Sequence, residues 1–363
     1  MLTRIRDWIE TRIGLNDLIN TGLRDFRVPA NLNIFYTLGF VTLTAYTVQL
    51  ITGVFLLIYY IPHSGHAFGS VNDIMTRVPY GWLFRQMHQV GSNLMTAALL
   101  LHLLFIFVGG SYKKPREMTW VTGGVMFLAV LAFCLTGYLL PWNQLGYWAT
   151  TVVTTMFTTL PYIGEVFAQM LRGGNHVSEI TLNRFFALHV ALLPLIFITF
   201  MIFHLFLIRR TGFSKPPSVQ SVIEDRALTG YRREHHPDGY PFYPYFVIKA
   251  AFMVCLYFLV MFFILSFFPA SLLPEDAITP ADPLKTPAMI RPAWYFLAPY
   301  QMLKLIPNKA LGMTFELLML SVFLLWPFFD TGEERNILKR PLLRWVFIVS
   351  FLSWLLLTVW GRY

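Results

Sequence analysis

Nine histidines occur in the 363-residue chain, and four of them fall as two widely spaced pairs inside strongly apolar runs: His88 with His102, and His189 with His204. An ionisable or metal-ligating side chain in such a run is costly unless it serves a function. A neutral histidine hydrogen-bonded to a neighbouring helix is the blander reading of any one of them; four in two pairs favour ligation. The pairs are 14 and 15 residues apart, which at 100° per residue leaves each within roughly 60° of one helix face. Two runs that descend in the same direction place His88 level with His189, and His102 level with His204. Two bis-histidine sites follow, about 21 Å apart along the axis, a spacing that suits two stacked haems. Iron held by two histidines has no open position, so the chemistry is electron relay rather than oxygen binding.

A porphyrin wedged among helices needs backbone close to its flat face, and glycine permits that approach. Gly39 and Gly53 are 14 residues apart, as are Gly123 and Gly137. Each glycine alone reads as ordinary small-residue packing, but the shared period on four runs points to the same two sites. Arg85, one turn before His88, could hold a haem propionate or equally be a flanking charge.

The elements that position these residues must lie in a membrane. The chain is 56% hydrophobic, 17% aromatic and only 13% charged, with mean hydropathy +0.56, too apolar for an ordinary soluble domain. Seven apolar runs reach the ~20 residues needed to cross a bilayer, approximately 34–61, 82–108, 120–140, 185–208, 246–268, 313–329 and 345–360. The fold class is all-α: a polytopic membrane protein of seven transmembrane helices, with a four-helix haem-binding bundle at 31–210, a cytoplasmic linker at 211–244 and a three-helix half at 245–363. Residues 1–30 scatter arginines among acids without a continuous apolar core, which suits an amphipathic surface segment rather than a cleavable signal peptide.

The net charge of +9 could suggest nucleic acid, but the basic residues sit in short loops beside spans. Nineteen of the 28 Lys and Arg fall on the side of the N-terminus, so the positive-inside rule places the N-terminus in the cytoplasm and the C-terminus outside. Cys134 and Cys255 both lie in apolar runs, which argues against disulfides, iron–sulfur or zinc clusters and covalent haem attachment within this chain. The long connections 141–184 and 269–312 are rich in Trp, Tyr, Pro and Leu, so they should lie against the outer membrane surface. The stretch 211–244, with Lys215, Pro216, Pro217 and the run from Tyr231 to His236, reads as solvated.

The frame of Gly39, Gly53, His88, His102, Gly123, Gly137, His189 and His204, together with GYLLPWNQLGYW at 137–148, resembles cytochrome b. The segment ADPLKTPAMIRPAWYFLAPYQMLKLIPNKALG at 281–312 resembles subunit IV of the plastid and cyanobacterial quinol:plastocyanin complexes. Seven spans and a 15-residue second histidine step favour that branch, fused into one chain, over the eight-span mitochondrial one. The resemblance covers nearly the whole sequence. It implies two noncovalent b haems, the outer held by His88 and His189 and the inner by His102 and His204. It also implies quinol oxidation at the outer face, between Pro141 and Trp142 on one loop and Pro292, Trp294 and Tyr295 on another. One electron passes to a Rieske iron–sulfur protein, and the other crosses both haems to a quinone at the cytoplasmic face, building proton-motive force. A c-type cytochrome subunit, a dimeric complex and a bacterial cytoplasmic membrane belong to the same expectation. Arg209, one turn beyond His204, matches the cation expected at the inner quinone site, although a positive-inside flank explains it equally.

Two residues depart from the resembled pattern. Where the family's outer motif carries a glutamate between Pro and Trp, this chain has Ala293, leaving no carboxylate there to take a quinol proton. Tyr295, a water chain or an acid elsewhere in the outer loops are the substitutes, and an easily oxidised quinol such as menaquinol would tolerate the loss. Thr37 stands where plastid-type proteins carry a cysteine that fixes an extra haem, so no covalent haem is expected. A transporter with histidine proton relays is the alternative of another class, disfavoured by the lack of repeats and broken spans. A diheme anchor relaying electrons without bifurcation is the other.

Overall fold

The computed structural model describes residues 2–14, 25–219, 222, 236, 238–268, 277–288 and 290–363. Seven helices in it are long and apolar enough to cross a membrane, and the chain is an integral membrane protein. The N-terminal helix α1 (Leu2–Ile13) leaves Ile5 and Trp8 exposed beside charged neighbours, as an amphipathic surface segment would. The first span is α2 (Leu38–Tyr59), entered through a 3-10 turn at Ile34–Thr37. A short surface helix α3 (Ala67–Thr76) connects it to the second span, α4 (Gly81–Val108). The third is α5 (Glu117–Leu139).

The long connection after α5 is not irregular. It folds into α6 (Gln144–Phe157) and α7 (Gly164–Arg172), tied together by Arg172. That guanidinium is buried and donates to Thr154 Oγ1 at 2.7 Å, Thr155 Oγ1 at 2.5 Å and the Asn175 carbonyl at 2.9 Å. Neutral oxygens satisfying a buried cation in this way make α6 and α7 one unit.

The fourth span is a single helix of three segments: α8 (Glu179–Ala187), a π turn at Leu188–Leu192, and α9 (Leu193–Thr211). Pro194 lies just past the wide turn; a proline has no N–H to give the carbonyl four residues back, and its ring clashes there in a tight α-helix. The wide turn relieves both. The C-terminal half contributes α10 (Val247–Phe267), a short helix α11 (Leu297–Leu305), α12 (Lys309–Phe329) and α13 (Pro341–Trp360).

The largest apolar cluster joins α2, α4, α5, α9 and α10 through Tyr46, Val90, Met95, Val130, Phe197, Tyr257 and Met261. At the end of the bundle carrying the N-terminal segment, strand β1 (Arg27–Val28) pairs antiparallel with β2 (Tyr240–Pro241). Phe26, Val28, Leu32 and Phe246 pack beneath them. The stretch 211–244 is therefore not solvated at its ends. Ser214 and His236 are buried, and His236 Nε2 lies 2.9 Å from the Phe213 carbonyl. Tyr231 to His235, like Arg24 and Arg226, lie outside the described residues.

The same end carries an ionic lock between the two halves. Asp330, at the end of α12, meets Lys113 Nζ at 2.8 Å, Arg340 at 2.5 Å and the Tyr112 hydroxyl at 2.5 Å. Burial alone would push the Asp330 carboxyl up, but hydrogen bonds from Arg340, Lys113 and Tyr112 outweigh it and hold it below the usual carboxylate range. Arg335, also buried, reaches the Gly109 carbonyl at 3.3 Å, the Lys215 carbonyl at 2.8 Å and the Ser214 hydroxyl. The opposite end is joined by backbone. Gln144 N donates to the Thr279 carbonyl at 3.0 Å, Ala281 N to the Trp142 carbonyl at 3.1 Å, and Asn143 Nδ2 to the Ala277 carbonyl at 2.9 Å.

Candidate functional site: two histidine pairs and an outer loop pocket

His88 on α4 and His189 in the π turn face one another, with ring centres 6.3 Å apart. Metal–imidazole bonds of about 2 Å on either side, plus about 1 Å from each nitrogen to its ring centre, give about 6 Å. A single iron therefore fits between the rings. His102 has His204 as its electrostatic neighbour deeper in the bundle. The 14- and 15-residue steps agree because the π turn accommodates one extra residue in a single turn. Fifteen residues of this span cover nearly what fourteen cover in unbroken α4.

Each of the four glycines stands against one histidine. A Cβ on Gly53 would lie 3.3 Å from His88 Cε1, on Gly39 3.5 Å from His102 Cε1, on Gly123 3.3 Å from His204 Cε1, and on Gly137 2.6 Å from His189 Cε1. Helix α2 thus backs the histidines of α4, and α5 those of the fourth span. The glycines clear space for the imidazoles themselves, which extends the sequence reading of room for a porphyrin face.

Three of the four glycines follow a threonine, and those hydroxyls reach the histidines. Thr52 Oγ1 lies 2.9 Å from His88 Nδ1, Thr122 Oγ1 2.9 Å from His204 Nδ1, and Thr136 Oγ1 3.1 Å from His189 Nδ1. Each hydroxyl gives its one hydrogen to the carbonyl four residues back, at 2.7 Å (Val48), 3.0 Å (Met118) and 2.8 Å (Ala132). It must then accept from Nδ1–H of the imidazole. That selects the tautomer whose Nε2 lone pair is free for a metal. Leu38 precedes the fourth glycine, and His102 Nδ1 is buried with no hydrogen-bonding partner among the described residues. The threonines escaped the sequence reading, although the repeated Thr-Gly step at 52–53, 122–123 and 136–137 signals them.

Trp142, buried and with φ +49°, sits in the loop whose backbone is joined to 277–281. Trp294 Nε1 donates to Asn93 Oδ1 on α4 at 3.0 Å. The Tyr295 hydroxyl is hydrogen-bonded with the Cys134 thiol and neighbours Tyr138, one turn before Pro141. Trp294 and Tyr295 thus dock onto α4 and α5 at the end nearer the His88 and His189 pair. Burial first, then Cys134 and Tyr138, pushes the Tyr295 hydroxyl far above its usual range. It is a neutral phenol, and so the wrong group for a base. Ala293 and Pro292 lie at the entry to the same turn.

Arg85 NH1 donates to Gln89 Oε1 at 2.7 Å, which holds it along α4 beside His88. Arg209 stacks over the Phe26 ring at 4.3 Å, at the opposite end of the fourth span. The Thr37 hydroxyl is buried and donates to the Ile34 carbonyl at 2.6 Å. Cys134 and Cys255 are free thiols.

A helical membrane bundle that stacks two histidine pairs, with three of the four imidazoles held in the tautomer that leaves Nε2 free, defines a transmembrane electron carrier. Residues 23–212 match the family model described as Cytochrome b/b6/petB, and residues 280–363 match Cytochrome b(C-terminal)/b6/petD. The chain belongs to the cytochrome b/b6 family, whose cofactor is b-type haem. It is 37% identical over 357 residues to cytochrome b of Rickettsia conorii, covering 98% of this chain and 86% of that protein. With cytochrome b of Allochromatium vinosum it shares 32% identity over 361 residues, covering 96% and 87%. A solved chain described as "Hyperthermophilic respiratory Complex III" superposes with TM-score 0.88 at 34% identity, covering 98% of this chain and 91% of that one.

Proposed function

We propose that the chain is the diheme cytochrome b subunit of a quinol:cytochrome c type oxidoreductase. The observation that carries this reading is the two histidine pairs, with a glycine against each of the four rings and a threonine hydroxyl on three of them. The outer haem is held by His88 and His189, the inner by His102 and His204, and when bound they supply two one-electron relays in series across the membrane. Thr52, Thr136 and Thr122 keep three imidazoles in the ligating tautomer, while Gly39, Gly53, Gly123 and Gly137 admit the rings. The domain limits are a four-helix diheme half at 31–210, a cytoplasmic linker at 211–244 and a subunit IV-like half at 245–363.

Quinol binds at the outer face beneath Pro141, Trp142, Pro292, Trp294 and Tyr295. The Asn93 bond to Trp294 and the Cys134 bond to Tyr295 support this pocket, because they fix the second loop on the helices that flank the outer haem. Arg209 serves a quinone at the cytoplasmic face, where a cation stabilises the reduced ring oxygen. A Rieske iron–sulfur protein and a c-type cytochrome subunit are the electron-accepting partners in a dimeric complex of the bacterial cytoplasmic membrane, with the N-terminus inside and the C-terminus outside. The test is haem stoichiometry and spectra of the purified complex. Two haems per chain are expected, with His88→Ala and His189→Ala removing one spectral component and His102→Ala and His204→Ala the other. Pairing of His88 with His204 would refute the assignment.

The missing carboxylate at Ala293 favours one second reading, a diheme anchor fed with electrons by another redox subunit. In that case quinol would not reduce the outer haem with the Rieske partner present and the inner site blocked.

A further inference from the structure

Among the described membrane spans, three acids occur. Glu117 and Glu179 are each the first residue of a helix, whereas Glu316 lies within α12. Its Oε1 is buried and has no hydrogen-bonding partner among the described residues. An unpartnered carboxylate within a span is expensive, and such groups mark proton or substrate paths.

The helical wheel of α12 settles where Glu316 points. Buried Gly312, Met313 and Pro327 and the packed Phe323 lie on one face, and Glu316 is in the middle of it. Phe323 packs tilted against Trp120 at 5.1 Å and edge-on to Phe127 at 5.8 Å on α5. Since α5 is the third span and α12 the sixth, they run antiparallel, and seven residues back along α12 is about 10 Å along α5. Glu316 therefore falls opposite Leu131, one turn from Cys134, the thiol bonded to Tyr295. It is seven residues into its span, as His88 is into α4. The carboxylate stands at the depth of the outer histidine pair, on the helix wall of the outer pocket.

We propose that Glu316 is the group that accepts a proton from the substrate in the outer pocket. This rests on the reading of that pocket as a quinol-oxidising site. Oxidation of one quinol breaks two O–H bonds and yields two electrons, one to the iron–sulfur partner and one to the outer haem, and two protons. The Glu316 carboxylate takes one, forming its own carboxylic O–H bond, and then releases it to water at the outer surface; the second leaves to water directly. The other titratable and charged groups on the elements packed against α12 cannot replace it. Cys134 and Tyr138 on α5 surround the neutral Tyr295, and the Tyr147 hydroxyl on α6 donates to the Val177 carbonyl at 3.3 Å. On α11 the Tyr300 hydroxyl donates to the Ile290 carbonyl at 3.0 Å, with Lys304 over its ring at 4.6 Å. Lys309, on α12 itself, donates to the Leu303 and Ile306 carbonyls at 2.6 and 3.1 Å. None of these is a carboxylate, and Glu117, the first residue of α5, lies at the end of that helix away from Cys134 and Tyr138.

The experiment measures pre-steady-state reduction of the outer haem by a menaquinol analogue across pH, in the intact complex with the inner site blocked. Wild type, Glu316→Gln, Glu316→Asp and the double variant Glu316→Gln/Ala293→Glu are compared at equal haem content. The expected result is a rate at least tenfold lower in Glu316→Gln, with its rise with pH lost. Glu316→Asp should keep the titration at a displaced midpoint, and the double variant should regain it. A Glu316→Gln or Glu316→Asp complex with the wild-type rate and pH profile overturns the proposal while leaving the quinol site standing. A wild type that quinol cannot reduce through this pocket overturns both. If Glu316→Gln does not assemble, an unchanged profile in Glu316→Asp decides against it.

Discussion

The hydroxyl of Thr122 lies 2.9 Å from Nδ1 of His204, while Nδ1 of His102, at the same inner site, has no such acceptor among the described residues. An imidazole that donates its second N–H is a more basic ligand and favours the oxidised metal. Thr122→Val should therefore raise the inner haem's midpoint potential by roughly 20 to 60 mV, the equivalent of one net hydrogen bond, and leave the outer haem unchanged. A redox titration followed at the two haem absorbances checks this. An unmoved inner potential would show that the bond does not tune the ligand.

The four glycines should differ in tolerance. A methyl on Gly137 would sit 2.6 Å from the His189 ring, closer than real Cβ contacts allow, whereas on Gly39 it would sit 3.5 Å from His102. Gly137→Ala is expected to lose most of the outer haem, and Gly39→Ala to keep the inner haem near full occupancy. Haem content of the purified variants distinguishes them.

Both haems should be extractable with acid acetone, since Thr37 replaces the thiol expected in the plastid-type branch and neither Cys134 nor Cys255 lies in an attachment motif. Haem that stays with the polypeptide through denaturing electrophoresis would contradict this.

On the proposed quinol-site reading, Ala293 lacks the family's carboxylate while Trp294 and Tyr295 are held on α4 and α5. Menaquinol-like donors should reduce the outer haem faster than ubiquinol-like ones. Ala293→Glu in the otherwise native chain should add a second titrating group to the pH profile of that step. Equal rates for the two donor classes would remove the argument from donor potential.

Asp330 makes a buried lock with Lys113 and Arg340, the Asp330 and Lys113 side chains being only 6% and 2% exposed. Asp330→Asn leaves a cation unpaired and should cost about 3 to 5 kcal/mol. The folded carboxyl titrates below its unfolded value of about 3.9. Its contribution is therefore full above that value and lost as pH falls through the depressed folded one. Thermal inactivation of wild type should accelerate on that acidic side, and Asp330→Asn should be less stable near neutrality with a weaker acid dependence.

Much of this was legible in one dimension. The seven spans and the histidine–glycine period follow from hydropathy and spacing, because a membrane helix must be apolar for its whole crossing. Helix ends were less visible. The fourth span begins at Glu179 rather than near Phe185, the sixth at Lys309 rather than Met313, and the seventh at Pro341 rather than Trp345, since backbone hydrogen bonding continues past the apolar stretch into the interface. The threonines stayed hidden because a threonine in a span ordinarily bonds its own helix, and only the neighbouring helix shows that the same oxygen has a second task. The burial of Ser214 depends on Arg335, 121 residues away, a relation no local pattern carries.

The π turn at Leu188–Leu192 has a consequence for how chain length and site geometry are related. Residue number is a poor ruler along a helix whose winding can vary. Removing one residue from this turn, with Pro194 also replaced so that a tight helix is tolerated, should give uniform winding and keep both irons addressable, while removing one from the middle of α4 would rotate His102 away from its partner. Insertions and deletions of a single residue can thus be silent in one helix of a cofactor site and ruinous in the next.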